Sequence, residues 1–136
     1  VRVRIGVGAT GIAVEDGRYN VLFGSDEMLL SGLCGGAHGA VGSTYNFAAP
    51  LFNRIMATFA AGDIAKAQQL QGKAVEMVNV LVRHGGNAAI KSVMAFLDLD
   101  CGPVRLPQVA LSAEQRERLH QDLDAIGFFA WGRGKA

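Results

Sequence analysis

Two stretches decide how this chain is read: Gly24-Ser25-Asp26-Glu27, and, after a short apolar run, Gly39-Ala40-Val41-Gly42-Ser43-Thr44-Tyr45-Asn46. Each stands at the end of a short apolar segment. Tyr19-Asn20-Val21-Leu22-Phe23 leads into Gly24 and predicts a buried strand over residues 19–23. Residues 39–43 predict a second. Between them, Asp26 or Ser25 is placed to cap a helix from Glu27 to about Gly35, with Leu29, Leu30 and Leu33 on one face. Two strands joined by one crossover helix are expected to be parallel neighbours. A pair of parallel strands does not make a stable buried sheet, so the pattern is that of the end of a larger α/β fold. Val21, Leu22, Phe23 and Val41 are then expected to face water where further strands would pack.

Towards the C-terminus the period changes to that of helices. Pro50 belongs near the first turn of a helix over about 48–60, where its missing N–H costs nothing. Leu51, Ile55, Met56 and Phe59 form its stripe. Gly62-Asp63 ends it and caps a longer helix to about His84, with Ile64, Ala67, Leu70, Val75, Val78 and Leu81 on one face. Gly85-Gly86 breaks the chain, and Asn87 is placed to cap a helix to about Leu97. Residues 99–110 form a loop holding Pro103 and Pro107. Ser112-Ala113-Glu114-Gln115 is a capping box for a last helix that stops at Gly127. Residues 131–136 read as a frayed tail.

Towards the N-terminus, Val1 to Ile5 alternates apolar and basic residues, as a short strand does. Gly6-Val7-Gly8-Ala9-Thr10-Gly11 formally matches the dinucleotide fingerprint G-x-G-x-x-G. That fingerprint works by presenting a helix N-terminus to pyrophosphate. Here the turn signal Asp16-Gly17 follows within a few residues, too soon for the helix. A small nucleotide-binding protein built on this segment is therefore poorly supported.

Composition narrows the classes. Apolar residues make up 50% of the 136, charged residues 18%, and the formal net charge is +1. A nearly neutral balance argues against nucleic acid or a membrane surface as partner. No apolar run is long enough to span a bilayer, and the first residues lack the features of a signal peptide. Cys34 and Cys101 read as two reduced, buried thiols in a cytoplasmic protein. His38, His84 and His120 lack ligand spacing, so no metal and no cofactor is expected.

From about Tyr19 to Gly127 the chain resembles the dihydrodipicolinate synthase / N-acetylneuraminate lyase family. The resemblance rests on Phe23-Gly24-Ser25-Asp26-Glu27, on residues 39–46, and on Arg105-Leu106-Pro107. The Asp-Glu pair and the Ser-Thr-Tyr-Asn run favour its sialic-acid branch. The resemblance implies the C-terminal part of a TIM (β/α)8 barrel, with residues 19–23 as strand seven and 39–43 as strand eight, plus a three-helix C-terminal extension. The domain boundaries then fall at 1–15, an atypical Gly-rich segment; 16–60, the last two β/α units; 61–130, the helical extension; and 131–136, the tail. Residues 1 to about 15 depart from the family, which has a helix leading into strand seven.

The family cleaves N-acetylneuraminate to N-acetylmannosamine and pyruvate through a Schiff base. A lysine amine attacks the 2-keto carbon, and the iminium serves as electron sink. The resemblance places that lysine on strand six and its proton-transfer tyrosine on strand five, neither of them within these residues. No catalytic residue is assigned, and the chain is expected to be inactive alone. The sugar-binding positions do map: the backbone of Gly24 and the side chains of Asp26, Glu27 and Ser43 would meet the substrate's polyol tail. Ionised carboxylates accept and a hydroxyl both donates and accepts, which suits neutral hydroxyls. Sialic acid and pyruvate would be ligands only of a completed barrel, and the family predicts a homo-oligomer, a tetramer.

Plainer readings stand beside these. Asp26 suits a helix cap, Glu27 a first helical turn favoured by the helix dipole, and Ser43 and Thr44 a strand end. Tyr45 suits a structural or subunit-contact role. Lys66, Lys73 and Lys91 fall on predicted helices, where solvent does not lower an amine's pKa as a desolvated pocket does. A function of another class, a non-catalytic oligomerisation or interaction module derived from the barrel, fits the same residues.

Overall fold

The computed structural model describes residues 19–131. The expected strand over residues 1–5 and the Gly-rich segment lie outside them. The chain runs β1 (Leu22–Phe23), a 3₁₀ turn (Asp26–Met28), α1 (Leu29–Cys34), β2 (Gly39–Ala40), α2 (Tyr45–Ala60), α3 (Ile64–Arg83), α4 (Asn87–Phe96), α5 (Ala113–Ala125) and α6 (Phe128–Trp131). It is a helix-rich α/β arrangement.

β1 and β2 are parallel neighbours, Leu22 opposite Gly39 and Phe23 opposite Ala40. Both are shorter than the five residues read from the sequence. Among the described residues each strand has one neighbour, and an isolated two-stranded pair is only marginally stable. Single bonds continue the pairing: His38 N donates to Val21 O and Val41 N to Phe23 O, each at 2.9 Å. Leu22 and Val41 are exposed, as expected, at 51% and 61%. Phe23 is not. It is buried against α1 over Gly32, where a Cβ would come within 2.3 Å of Phe23 Cγ.

The helix after β1 opens with the 3₁₀ turn, and neither Ser25 nor Asp26 caps it. Ser25 occupies the cap position with extended backbone but makes no side-chain cap bond. Asp26 lies inside the turn and its carboxylate is engaged elsewhere. Leu29, Leu30 and Leu33 are buried as the spacing predicts. In α2 the backbone leaves helical geometry at Ala48 (φ −119°, ψ 16°). Pro50 accounts for this, since its ring clashes with the carbonyl four residues earlier and it lacks an N–H. A single turn at Tyr45 thus precedes the helix proper, in whose first turn Pro50 sits.

Asp63 caps α3, its Oδ1 accepting from Lys66 N at 3.0 Å. The buried face of α3 comprises Ala67, Leu70, Ala74, Met77, Val80 and Leu81. Ile64 and Val75, expected on that face, are exposed. Val75 follows Ala74 directly and is rotated about 100° from it. Ala74 takes the inward position and is fully buried, on a helix that packs against α2. Asn87 begins α4 rather than capping it; Gly86, at φ +59°, holds the cap position that a side-chained residue adopts only with strain.

The capping box of α5 is formed, with Ser112 Oγ accepting from Gln115 N at 3.2 Å and Gln115 Oε1 from Ser112 N at 2.9 Å. Gly127 ends the helix at φ +70°. Trp131 is not frayed. It closes α6, packs edge-on against buried Phe128, and donates from Nε1 to Ile126 O. Aromatic burial supplies what the sequence period did not reveal. Phe52, Ile55, Met77, Leu119, Leu123 and Phe128 form the centre of the core. Cys34 and Cys101, expected to be buried, are both exposed and free. Cys34 is the last residue of α1, ahead of Gly35-Gly36, and Cys101 lies in the exposed loop of residues 99–110.

Candidate functional site

The polar residues after β1 and those after β2 meet. Asp26 is only 7% exposed, and its Oδ2 accepts from Thr44 N at 2.9 Å and from Thr44 Oγ1 at 2.5 Å. Burying a carboxylate is tolerable only with such partners. The approach is so close that a Cβ on Gly42 would lie 1.6 Å from Asp26 Oδ1. Only glycine fits there. From the opposite side, Gln71 of α3 reaches the same loop: its Oε1 accepts from Leu30 N at 2.8 Å and its Nε2 donates to Asp26 O at 3.3 Å.

Gly24, Glu27 and Ser43 are exposed around this buried bond. The Ser43 hydroxyl and the Glu27 carboxylate have no hydrogen-bond or ion-pair partner among the described residues, while Ser43 O accepts from Asn46 Nδ2. The bond from Asp26 to Thr44 places the loop bearing Glu27 beside the turn bearing Ser43. The result is a rim with one free acceptor group and one free hydroxyl over a buried carboxylate. It is suited to hydrogen-bonding neutral hydroxyls, and none of the residues that form it carries an amine that could make a Schiff base.

Tyr45 begins α2 beside this rim. Its ring stands edge-on to Phe52, centroids 4.2 Å apart. Its hydroxyl is buried without a hydrogen-bond partner among the described residues. Burial, and then the negative charges of Asp26 and Glu27, push its phenol well above the ordinary range. Its side chain helps line a cleft of about 360 Å³ with Val41, Asn53 and Met56. Lys66 and Lys73 are exposed on α3. The Lys91 amine donates to Cys101 O and Pro103 O at 2.9 and 3.2 Å and ties down the loop of residues 99–110. Among the described residues no group of three or more His, Cys, Asp or Glu side chains could hold a metal ion. None of the helices described is long and apolar enough to cross a membrane.

Sequence reasoning singled out Asp26, Glu27 and Ser43 but gave Thr44 only a strand-end role, and it missed Gly42 and Gln71. One signal for Gln71 was present. It is a polar residue between Leu70 and Ala74 on an otherwise apolar stripe.

A parallel β/α pair with its polar residues on the loops after both strands has the arrangement of the α/β class that builds its sites at strand ends. The comparisons specify the family. The Dihydrodipicolinate synthetase family pattern matches residues 9–126, and the chain belongs to that family. The chain is 38% identical over 114 residues to the N-acetylneuraminate lyase of Gallus gallus, covering 82% of this chain and 37% of that protein. It superposes with a TM-score of 0.81 on the N-acetylneuraminate lyase (sialic acid aldolase) of Aliivibrio salmonicida, at 42% identity, over 86% of this chain and 39% of that one. The Proteus mirabilis N-acetylneuraminate lyase gives a TM-score of 0.81 at 39% identity, over 86% and 40%. The chain thus spans less than half the length of the relatives it matches.

Proposed function

We propose that this chain is the C-terminal part of a sialic-acid aldolase barrel and supplies the polyol-binding side of its active site. β1 would lie in strand seven and β2 in strand eight. Residues 16–60 would form the last two β/α units and 61–130 the helical extension. Gly24, Asp26, Glu27 and Ser43 would meet the substrate's polyol tail, with a cytoplasmic, homo-oligomeric enzyme as the setting. The observation that carries this reading is the buried bond from Asp26 to Thr44, which joins the two strand-end loops into one polar rim. Chemistry would come from a lysine and a tyrosine contributed by the remaining strands, so the 136 residues alone would not turn over substrate.

The test is co-expression with the complementary N-terminal portion of the Aliivibrio salmonicida lyase. Cleavage of N-acetylneuraminate to pyruvate is expected from the assembly and from neither part. A soluble, well-folded assembly without activity would overturn the reading. Exposed Leu22 on β1 and Val41 just after β2 favour a second reading, a non-catalytic oligomerising module. Stable self-assembly, together with failure to take up the complementary portion, would favour that one.

A further inference from the structure

We infer that Gln71 is a positioning residue through which the helical extension sets the geometry of the polar rim; the inference rests on the reading of that rim as a polyol site. Gln71 is half-buried in the middle of α3, on the face turned to the core. Its amide uses both of its ends on backbone groups, accepting from Leu30 N and donating to Asp26 O. These two groups flank the 3₁₀ turn that carries Asp26 and Glu27. Asp26 in turn holds Thr44, and Thr44 adjoins Ser43. The path is continuous: α3 fixes the first loop, the first loop fixes the second, and Gly42 leaves no slack between them. A helix outside the strand-end loops therefore determines the spacing of the free groups on Glu27 and Ser43.

The path makes an asymmetric prediction that a local packing role does not. In the full chain, amide hydrogen exchange is measured for Leu30, Thr44, Leu119 and Leu123 in Gln71→Ala and Gln71→Glu. Gln71→Ala is expected to speed exchange at Leu30 and also at Thr44, which Gln71 does not touch. The change should be roughly three- to tenfold, the scale set by one neutral hydrogen bond. Gln71→Glu retains an acceptor for Leu30 N but, when ionised, no donor for Asp26 O. It should leave Leu30 protected and still speed Thr44. Leu119 and Leu123, in α5, should not change in either variant.

Unchanged exchange at Thr44 in both variants overturns the inference. So does acceleration spread evenly to α5 in both, since that is global unfolding. In the co-expressed assembly, Gln71→Glu should raise KM for N-acetylneuraminate several-fold while leaving the borohydride-trapped pyruvate adduct unchanged. Equal loss of both overturns the link to the rim. An unsubstituted assembly without activity overturns the proposed function instead, and the exchange result still decides whether the path from α3 exists.

Discussion

The carboxylate of Asp26 and both hydrogen-bond donors of Thr44 form a closed unit beneath the surface, joining a loop after one strand to the turn after the next. Removing the hydroxyl withdraws one charge-assisted bond from a buried anion. Thr44→Val is therefore expected to destabilise the chain by about 1.5–3 kcal/mol, read as a lower urea midpoint at unchanged slope. Thr44→Ser keeps the hydroxyl and should recover most of the loss. Equal damage from both would mean that the methyl group, not the bond, matters.

Gly42 and Gly32 are close-approach positions. An added Cβ would meet Asp26 Oδ1 at 1.6 Å in the first case and Phe23 Cγ at 2.3 Å in the second. Gly42→Ala should cost about 1–3 kcal/mol, the usual range for overpacking. Because the displaced group is the Asp26 carboxylate, Gly42→Ala in an Asp26→Ala background should cost much less. A double-mutant cycle measures this coupling, and strict additivity would refute the contact.

Much of this was legible beforehand, and the failures share a cause. The caps at Asp63 and Ser112 and the stop at Gly127 are local. A turn residue or capping side chain decides them within four positions. What the sequence hid is set across long separations. Asp26 forgoes a cap because Thr44, eighteen residues on, offers more. Val75 is exposed because Ala74, Leu70 and Met77 set the face of α3 that is buried by the other helices. Trp131 orders because Phe128 is anchored on Phe47. In the candidate site, residue type flagged the rim, while what holds it is a bond from Thr44, a close approach that Gly42 permits and a mid-helix glutamine.

Tyr45 and Asp122 give opposite pH signatures. The Tyr45 phenol is raised above its ordinary value of 10.0 by burial first, then by Asp26 and Glu27. A raised group contributes stability that is complete below its unfolded value and is lost as pH rises towards the folded one. Wild type should thus lose stability relative to Tyr45→Phe above about pH 10, and Tyr45→Phe should remove the late component of the phenolate absorbance titration. An identical alkaline limb in the two proteins would contradict the burial of this hydroxyl.

Asp122 behaves in the reverse sense. The hydrogen bond from His84 Nε2 at 2.8 Å lowers its pKa, aided by the charges of His84 and Arg83 and opposed by some desolvation. A depressed carboxylate contributes above its unfolded value and loses that contribution as pH falls through the folded one. The gap between wild type and Asp122→Asn should be open at about pH 5 and close below about pH 4. Denaturation midpoints across that range check it; a gap constant with pH would assign the effect to packing between α3 and α5.

Catalysis gives a chemical prediction. The described lysines are exposed on α3 or, for Lys91, bound to two carbonyls. None sits in the desolvated pocket that makes an amine nucleophilic near neutral pH. Incubating the chain with pyruvate and borohydride should leave its mass unchanged, and N-acetylneuraminate should be cleaved no faster than in buffer. A stable adduct on any of the four lysines of the sequence would refute this.

Association follows from the sheet. β1 and β2 satisfy each other on one side, and among the described residues no strand pairs with their outer edges. Leu22, at 51% exposure, and Val41, at 61%, stand beside those open ladders. Unpaired backbone next to exposed β-branched and aliphatic side chains favours recruitment of another strand. The purified chain is therefore expected to self-associate, with its mean mass rising with concentration in light scattering. Leu22→Lys with Val41→Lys should shift the distribution towards monomer without changing helix content, because neither side chain contributes to the core. A concentration-independent monomer would show that the edges are covered within one copy. Association unaffected by the two lysines would place the contact on the helices.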